Sequence, residues 1–396
     1  MKKIIILCLF FLFSYSKEQI LLDIKPSENF YPKIDQKRCD YECLIELLEN
    51  KMYLSFLSEF NQQDDEFLSN IYVKLLNSIT DFDNKLKNIN QIKLAIIIPQ
   101  KTIKSYSNNV INSVISYLIR QRAQIKVKVF LTKDEGENKI INAINQAQNQ
   151  KYDYIIAALT IKGVNQLKDY NGNSKIFIPT INKKNTKINN ENIYFGSIDY
   201  DEQIKELLKL SNSNIAAFGD NSSLSNVLNY KIEEQNPQRL RIYKINDEKI
   251  DFYSIFKSQG NLNNATIFLN TPLIKTALIS SQLRYHDINT DVLLSTQINY
   301  HPALLTITQP NDRKKLIIAN SINNNDKNLS YINEIFNQDI NYNWIVYATS
   351  IGIDYFYSNF LNTQSNKLFD ETIQDNQIIY KVKLMKGENF SFEELK

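Results

Sequence analysis

Ten consecutive apolar residues, Ile4 to Phe13, follow the basic opening Met1-Lys2-Lys3 and precede Ser14-Tyr15-Ser16. A run of that length is too short to cross a bilayer as a helix. Its flanks match a cleaved secretory signal covering residues 1–16. Residues 17–35 are polar and hold Pro26 and Pro32, so they read as extended chain. From Cys43 to about Leu86 helical spacing takes over: Leu44, Leu47 and Leu48, then Leu54, Phe56, Leu57 and Phe60, then Phe67, Ile71, Leu75 and Leu76. Asp40 is placed to cap the first helix, and 61–65 reads as a break. Segment 17–90 is thus expected to hold an extended stretch and a small helical appendage of two or three helices.

At residue 92 the texture changes. Ile92-Lys93-Leu94-Ala95-Ile96-Ile97-Ile98-Pro99 is an apolar run closed by proline, the pattern of a strand buried on both faces. An amphipathic helix over Tyr106 to Arg120 follows, then strands over Ile125 to Leu131, Tyr152 to Leu159, Lys175 to Ile178 and Ile193 to Ile198, with helices between them at 137–149 and 163–169. Asp199 is placed to cap a helix from Glu202 to Leu210. A second series then begins, with strands at 214–218, 240–245, 265–269, 291–295 and 315–319 and helices at 223–234, 252–259 and 272–284. Two late helices, 329–337 and 343–361, precede a single closing strand over Gln377 to Leu384. Strands alternating with helices at this spacing mean βαβ units and parallel sheets. The expected fold class is α/β, two Rossmann-like lobes in tandem over 91–396, preceded by the helical appendage. Lobe 1 spans about 91–212 plus the C-terminal helices, and lobe 2 about 213–325.

Charge narrows the function classes. The formal charge is +3, and loss of Lys2 and Lys3 with the signal lowers it to +1. So small a balance gives no electrostatic reason to bind nucleic acid or anionic lipid. No later stretch is long enough for a membrane span, so the mature chain is expected to be soluble and periplasmic. Cys39 and Cys43 are the two cysteines that remain, and in an oxidising compartment a structural disulfide is the simplest reading of such a pair. A redox site usually has two intervening residues instead of three, and a zinc site would need two further ligands.

The order of elements resembles the type I periplasmic-binding-protein family, and within it the C-terminal domain of LpoA-type activators of peptidoglycan synthases. The resemblance covers roughly 92–385. Its best stretches are Asn192-Ile-Tyr-Phe-Gly-Ser-Ile-Asp-Tyr-Asp-Glu-Gln, like the family's crossing between lobes, and Asn343-Trp-Ile-Val-Tyr-Ala-Thr-Ser-Ile-Gly-Ile-Asp-Tyr-Phe, like its late helix with an aspartate-aromatic pair. A helical segment ahead of the body also resembles the LpoA layout, whose version is larger. Two departures stand out. The turn after the first strand, Pro99-Gln100-Lys101-Thr102-Ile103-Lys104-Ser105, has no glycine, and Ala157-Ala158-Leu159-Thr160 stands where the family commonly has Gly-Pro. Glycine there would let backbone amides approach a ligand.

Ligands of open α/β sheets bind outside the carboxyl ends of the strands. The polar residues at those ends are Gln100, Lys101, Tyr106, Thr160 and Thr180 in lobe 1, and Asp220, Asn221, Ser222, Asn270 and Thr271 in lobe 2. They suit a small polar ligand. Helix capping is their default role, with Ser222 and Thr271 well placed for it. His286 and His301, the only histidines, read as surface or loop residues. No Gly-x-Ser-x-Gly elbow, P-loop or His-Glu-x-x-His occurs, so no catalytic residue, metal site or cofactor is expected. Asp326-Lys327-Asn328-Leu329-Ser330 contains a sequon in an asparagine-rich stretch read as a loop, making Asn328 a glycosylation candidate. The chain is thus expected to be a non-catalytic interaction or sensing module of the envelope with a protein partner. The alternative is a solute-binding protein delivering an amino acid or small polar metabolite to an ABC importer.

Overall fold

The computed structural model describes residues 39–60, 65, 67–72, 74, 75, 92–123, 125–236, 240–245, 250, 252–257, 262–323 and 325–395. The expected signal segment 1–16, the extended stretch 17–35 and the helical positions Leu76 to Leu86 lie outside them. Contacts divide the chain into two units, Met1–Asn88 and Ile89–Lys396.

The N-terminal unit contains the helices Tyr41–Glu49 and Tyr53–Glu59 and helical residues at 67–72. Asp40 caps the first, accepting a 3.0 Å hydrogen bond from the Cys43 amide, and Cys39 and Cys43 are disulfide-bonded across that same turn. Leu44, Phe56 and Leu68 form the buried centre. Phe60 packs against Phe56 and Tyr72 at ring-centroid distances of 5.5 and 5.0 Å.

The second unit is built on two seven-stranded sheets. With strands numbered along the chain, the first holds β1 (Ile92–Ile98), β2 (Ile125–Leu131), β3 (Tyr154–Ala157), β4 (Lys175–Ile178) and β5 (Ile193–Phe195). The second holds β6 (Ile215–Gly219), β7 (Arg241–Lys244), β8 (Thr266–Asn270), β9 (Val292–Ser295) and β10 (Leu316–Asn320). β11 (Thr372–Gln374) and β12 (Gln377–Ile379) complete the first sheet, and β13 (Lys383–Gly387) and β14 (Phe392–Glu394) the second. The orders are β11-β12-β5-β4-β3-β1-β2 and β14-β13-β10-β9-β8-β6-β7, the same pattern twice across the first five strands of each lobe. β1 to β5 and β6 to β10 pair in parallel throughout.

Period-two burial explains the apolar runs. Leu94, Ile96 and Ile98 face a core that includes residues of the helices Tyr106–Arg120 and Trp344–Phe356. Ala95 and Ile97 face the opposite core, against the helix Lys139–Asn149. Both faces are covered, so no polar alternation is required.

Two expectations change here. The single closing strand expected over Gln377 to Leu384 is two strands, one in each sheet. Gln377–Ile379 lies parallel to β5 and Lys383–Gly387 antiparallel to β10, so Tyr380-Lys381-Val382 crosses between lobes. One apolar pattern served two short strands, and the hairpin partners β11 and β14 are too short to signal themselves. The helix Tyr200–Leu208, placed with lobe 1 from sequence, buries Ile204 and Leu207 against Ala217, Leu228 and Phe268 of the second sheet's core.

Glycine scarcity is met in a specific way. Eleven described non-glycine residues have positive φ and no described glycine does. In the glycine-free turn after β1, Lys104 takes φ 48° and ψ −119°. Two glycines serve close packing instead. A Cβ on Gly352 would lie 2.1 Å from Phe177 Cε1, and one on Gly196 2.4 Å from its Cζ.

Candidate functional site

Three crossings join the lobes: Gly196 to Asp199, the stretch after Asn320, and Tyr380 to Val382. At the first, Asp199 caps the helix Tyr200–Leu208, accepting from the Asp201 and Glu202 amides at 3.0 and 3.2 Å. Acidic residues in that first turn also suit the positive end of the helix dipole. Beside this crossing lies a cavity of about 300 Å³. Lobe 1 lines it with Tyr106, Thr180, Asn182, Asn185 and Trp344, and lobe 2 with Ser223, Leu224, Val227 and Lys231 of one helix. Ser197, Ile198, Asp199, Tyr200 and Asp201 form its floor along the crossing.

The charges in this cavity are neutralised in pairs. Lys231 Nζ lies 2.6 Å from both Asp201 carboxylate oxygens. Lys184 Nζ lies 2.6 Å from Asp199 Oδ2, and that bond raises the lysine pKa. Burial also lifts the Tyr106 and Tyr200 hydroxyls above the ordinary tyrosine range, so both stay protonated donors. Thr180 exchanges hydrogen bonds with the Leu159 backbone, its Oγ1 accepting from that amide at 3.0 Å and its hydroxyl donating to that carbonyl. Asn182 donates to the Ser197 carbonyl at 3.1 Å and accepts from the Lys184 amide at 3.0 Å. The side-chain polar groups of Tyr106, Asn185, Tyr200, Ser223 and Trp344 make no hydrogen bond to protein among the described residues. Tyr106, Asn185, Ser223 and Trp344 are open to a ligand, while burial raises the Tyr200 pKa beside Tyr106.

Of the ten strand-end residues expected to meet ligand, the cavity gathers Tyr106 and Thr180. The other eight lie outside its lining, and most are used by the fold. Gln100 Oε1 accepts from the Lys133 amide at 3.0 Å, while the Lys101 amide donates to the Lys133 carbonyl. Thr160 donates its amide to Glu135 Oε1 at 2.7 Å and its hydroxyl to Glu135 Oε2. Ser222 caps the helix Ser223–Gln235, and Asn221 is exposed. Asp220 accepts from the Ser222 amide at 3.0 Å and lies 3.3 Å from Lys275 Nζ. Burial opposes its ionisation, yet the bonds from Ser222 and Lys275 outweigh burial and hold its carboxyl below the usual range.

Thr271 departs from the capping role expected of it. The following helix has Pro272 at its N-cap, and the Thr271 hydroxyl bonds Thr276 Oγ1 at 2.8 Å. The reason is a buried hub. Asn299 Nδ2 is in hydrogen-bond range of the Leu269 and Thr271 carbonyls, Thr276 Oγ1 and Ser295 Oγ, at 2.9 to 3.2 Å. Asn270 is likewise buried, donating to Asn229 Oδ1 at 2.7 Å.

Asn328 is not in a loop. It lies in the first turn of the helix Lys327–Ile335, capped by Asp326, whose carboxylate also pairs with Arg120 at 2.6 and 2.8 Å. Asp326 therefore serves both a cap and an ion pair. His301 is exposed, its Nδ1 accepting from the Ala303 amide, and His286 packs beside Phe256. Among the described residues no group of three or more His, Cys, Asp or Glu side chains could hold a metal, and no helix is long and apolar enough to cross a membrane.

No sequence-family profile matches the chain, and neither does any curated protein. Solved structures do. The leucine-binding protein LivK of Thermotoga maritima superposes with a TM-score of 0.52 at 15% identity, covering 77% of this chain and 98% of that one. A putative branched-chain amino acid ABC transporter protein from Rhodospirillum rubrum gives 0.57 at 8% identity, covering 77% and 100%. Full-length LpoA of Haemophilus influenzae gives 0.52 at 9% identity, covering 89% and 68%. The body has the type I periplasmic-binding-protein fold. The LpoA match takes in more of the chain than Ile89–Lys396 contains, so it reaches into the N-terminal unit.

Sequence reasoning missed Asn182, Asn185, Ser223, Lys231 and Trp344. Ser223 adjoins the nominated Ser222, and one helix position decides which faces the cavity. Trp344 is the chain's single tryptophan and starts a helix whose strong apolar pattern reads as pure core.

Proposed function

We propose that this chain is a non-catalytic envelope protein whose binding-protein-like body serves as an interaction or sensing module, with the interlobe cavity as its small-ligand pocket. One observation carries the reading. At the end of β8, Asn270 and Thr271 are buried in hydrogen bonds of the fold, and lobe 2 meets the cavity through the helices Tyr200–Leu208 and Ser223–Gln235 instead. The free polar groups around the cavity come mostly from lobe 1, in Tyr106, Asn185 and Trp344, with Ser223 from lobe 2. The cavity is also at the small end of ligand pockets, about 300 Å³. The reach of the LpoA match into the helical unit supports a role beyond cargo carriage.

No residue lining the cavity is a cysteine or histidine, and both its aspartates sit in ion pairs, which leaves no activated nucleophile or free base. The second reading, delivery of an amino acid or small polar metabolite to an importer, rests on the free Tyr106, Asn185, Ser223 and Trp344 groups. Photo-crosslinking in intact cells, with the reactive residue at Val227 or Tyr106, separates the two. The interaction reading expects a discrete protein adduct from these positions, absent when the residue is placed at Asn221. Crosslinks confined to permease subunits would transfer the protein to the second reading.

A further inference from the structure

A second cavity, of about 480 Å³, lies on lobe 1 at the 182–188 loop and shares only Asn185 with the lining of the first. Its lining is Asn165, Lys168, Lys184, Asn185, Thr186, Lys187 and Ile188. Three of the seven are lysines and none is a carboxylate. The remaining polar members carry amide or hydroxyl groups able to donate.

The loop that presents them is held rigidly. Asn182 caps the turn Lys183–Asn185, the Lys183 amide donates to Gln377 Oε1 at 2.8 Å, and the Lys183 ammonium donates to the Asp375 carbonyl at 2.7 Å. Thr186 accepts from the Ile188 amide at 3.2 Å, and Ile188 itself is buried. Lys168 and Asn165 come from the segment after β3. Lys184 is shared, being already bonded to Asp199 at 2.6 Å. Lys168 and Lys187 have no acidic partner among the described residues, although the mature chain carries nearly as many acids as bases.

Three lysines bordering one concavity with no carboxylate in its lining make the local potential positive, which an anion there would offset. Lysine ammoniums act as point charges that suit phosphate oxygens, with amide and hydroxyl donors completing the shell. We infer that this cavity is an anion-binding site for a phosphate-bearing ligand, with Lys168 and Lys187 as its principal contacts and Lys184 as a shared third. The site shares Asn185 with the interlobe cavity, while Lys168 and Lys187 belong to it alone.

The test is calorimetric titration of the mature, oxidised protein with inorganic pyrophosphate, alongside co-sedimentation with phosphatidylglycerol vesicles. The inference expects saturable pyrophosphate binding that the double variant Lys168→Gln/Lys187→Gln weakens at least tenfold. The exposed-site control Lys314→Gln should leave it unchanged. Vesicle capture that pyrophosphate displaces would identify a lipid headgroup as the source of the phosphate. Pyrophosphate binding without vesicle capture would identify a soluble one. No saturable binding up to 10-fold above millimolar phosphate levels, or equal weakening by the control, overturns the inference. Melting curves for each variant show whether it is folded, since all three lysines lie at the surface.

Discussion

Lobe 1 and lobe 2 share a strand order and differ in what fills the space around it. Lobe 1 is packed by aromatic rings: Phe177 and Tyr194 each lie within about 6 Å of Phe356, and Tyr117 packs edge-on against Tyr357. Lobe 2 is tied at its strand ends by buried amides and hydroxyls. Beside the Asn299 hub, Gln203, Gln297, Asn320 and Ser321 form a second buried network, with bonds of 2.7 to 3.3 Å. Lobe 2 has aromatic clusters of its own, Phe218 with Tyr243 and Phe256 among them, so the contrast lies at the strand ends. That contrast has a functional consequence, because polar groups engaged in a buried network are withdrawn from the cleft.

Breaking the aromatic side of this comparison should give the largest effect. Gly352→Ala places a methyl inside the Phe177 ring position, and Gly196 blocks the ring from retreating. Overpacking of this kind costs about 3 kcal/mol, read as a lower denaturant midpoint. A smaller loss, below 1 kcal/mol, would mean Phe177 has room that the packing does not show.

The polar side should respond nearly as strongly. Asn299→Ala removes the donor serving the Leu269 and Thr271 carbonyls and should cost about 2 kcal/mol. It should also loosen Thr271, measured as faster amide exchange in residues 271–276. An unchanged exchange pattern would show that the hub does not close the strand ends.

How much of this was legible in sequence differs between the lobes for the same reason. The strands of both lobes are visible because coverage on both faces makes them continuous apolar runs, as in Leu94 to Ile98. The roles of polar residues are less visible, because a Thr or Asn after a strand reads identically whether it points at a ligand or into a hub. Ser222 and Asp199 act as the caps their positions suggest, while Thr271 is taken by Thr276 and Asn299. The cavity's best free groups, Trp344 and Asn185, follow no strand-end rule. Their grouping depends on how the crossing at Gly196 to Asp199 folds, which no local pattern encodes. The loop reading of the stretch around Asn328 fails similarly, since Asp326 among so many asparagines gives no clear helix start and yet caps a helix.

A milder test concerns the glycine-free turn of lobe 1. Lys104→Gly relieves an unfavourable backbone conformation there and should raise stability by about 1 kcal/mol. No gain would mean the turn is not strained.

The Arg120–Asp326 pair sharpens the comparison at its outer edge. The hydrogen bond from Arg120 holds the Asp326 carboxyl below the usual range, so its contribution is present above that range and is lost as pH falls through the folded pKa. Both side chains are partly exposed, so Asp326→Asn should cost less than about 1 kcal/mol at pH 7. The difference from wild type should vanish in acid. A pH-independent difference would assign the effect to capping alone.

The central claim is that the closed strand ends of lobe 2 make this body a module instead of an amino acid carrier. Its most direct test is the melting temperature of the mature, oxidised protein in the presence of each free amino acid. A ligand held only by the folded state adds about 2.7 kcal/mol at a hundredfold excess over its dissociation constant. The account predicts a melting temperature unmoved by millimolar leucine, isoleucine or any other free amino acid. A rise of several degrees with one of them, abolished by Ser223→Ala or Trp344→Ala, would contradict it and make the protein a carrier.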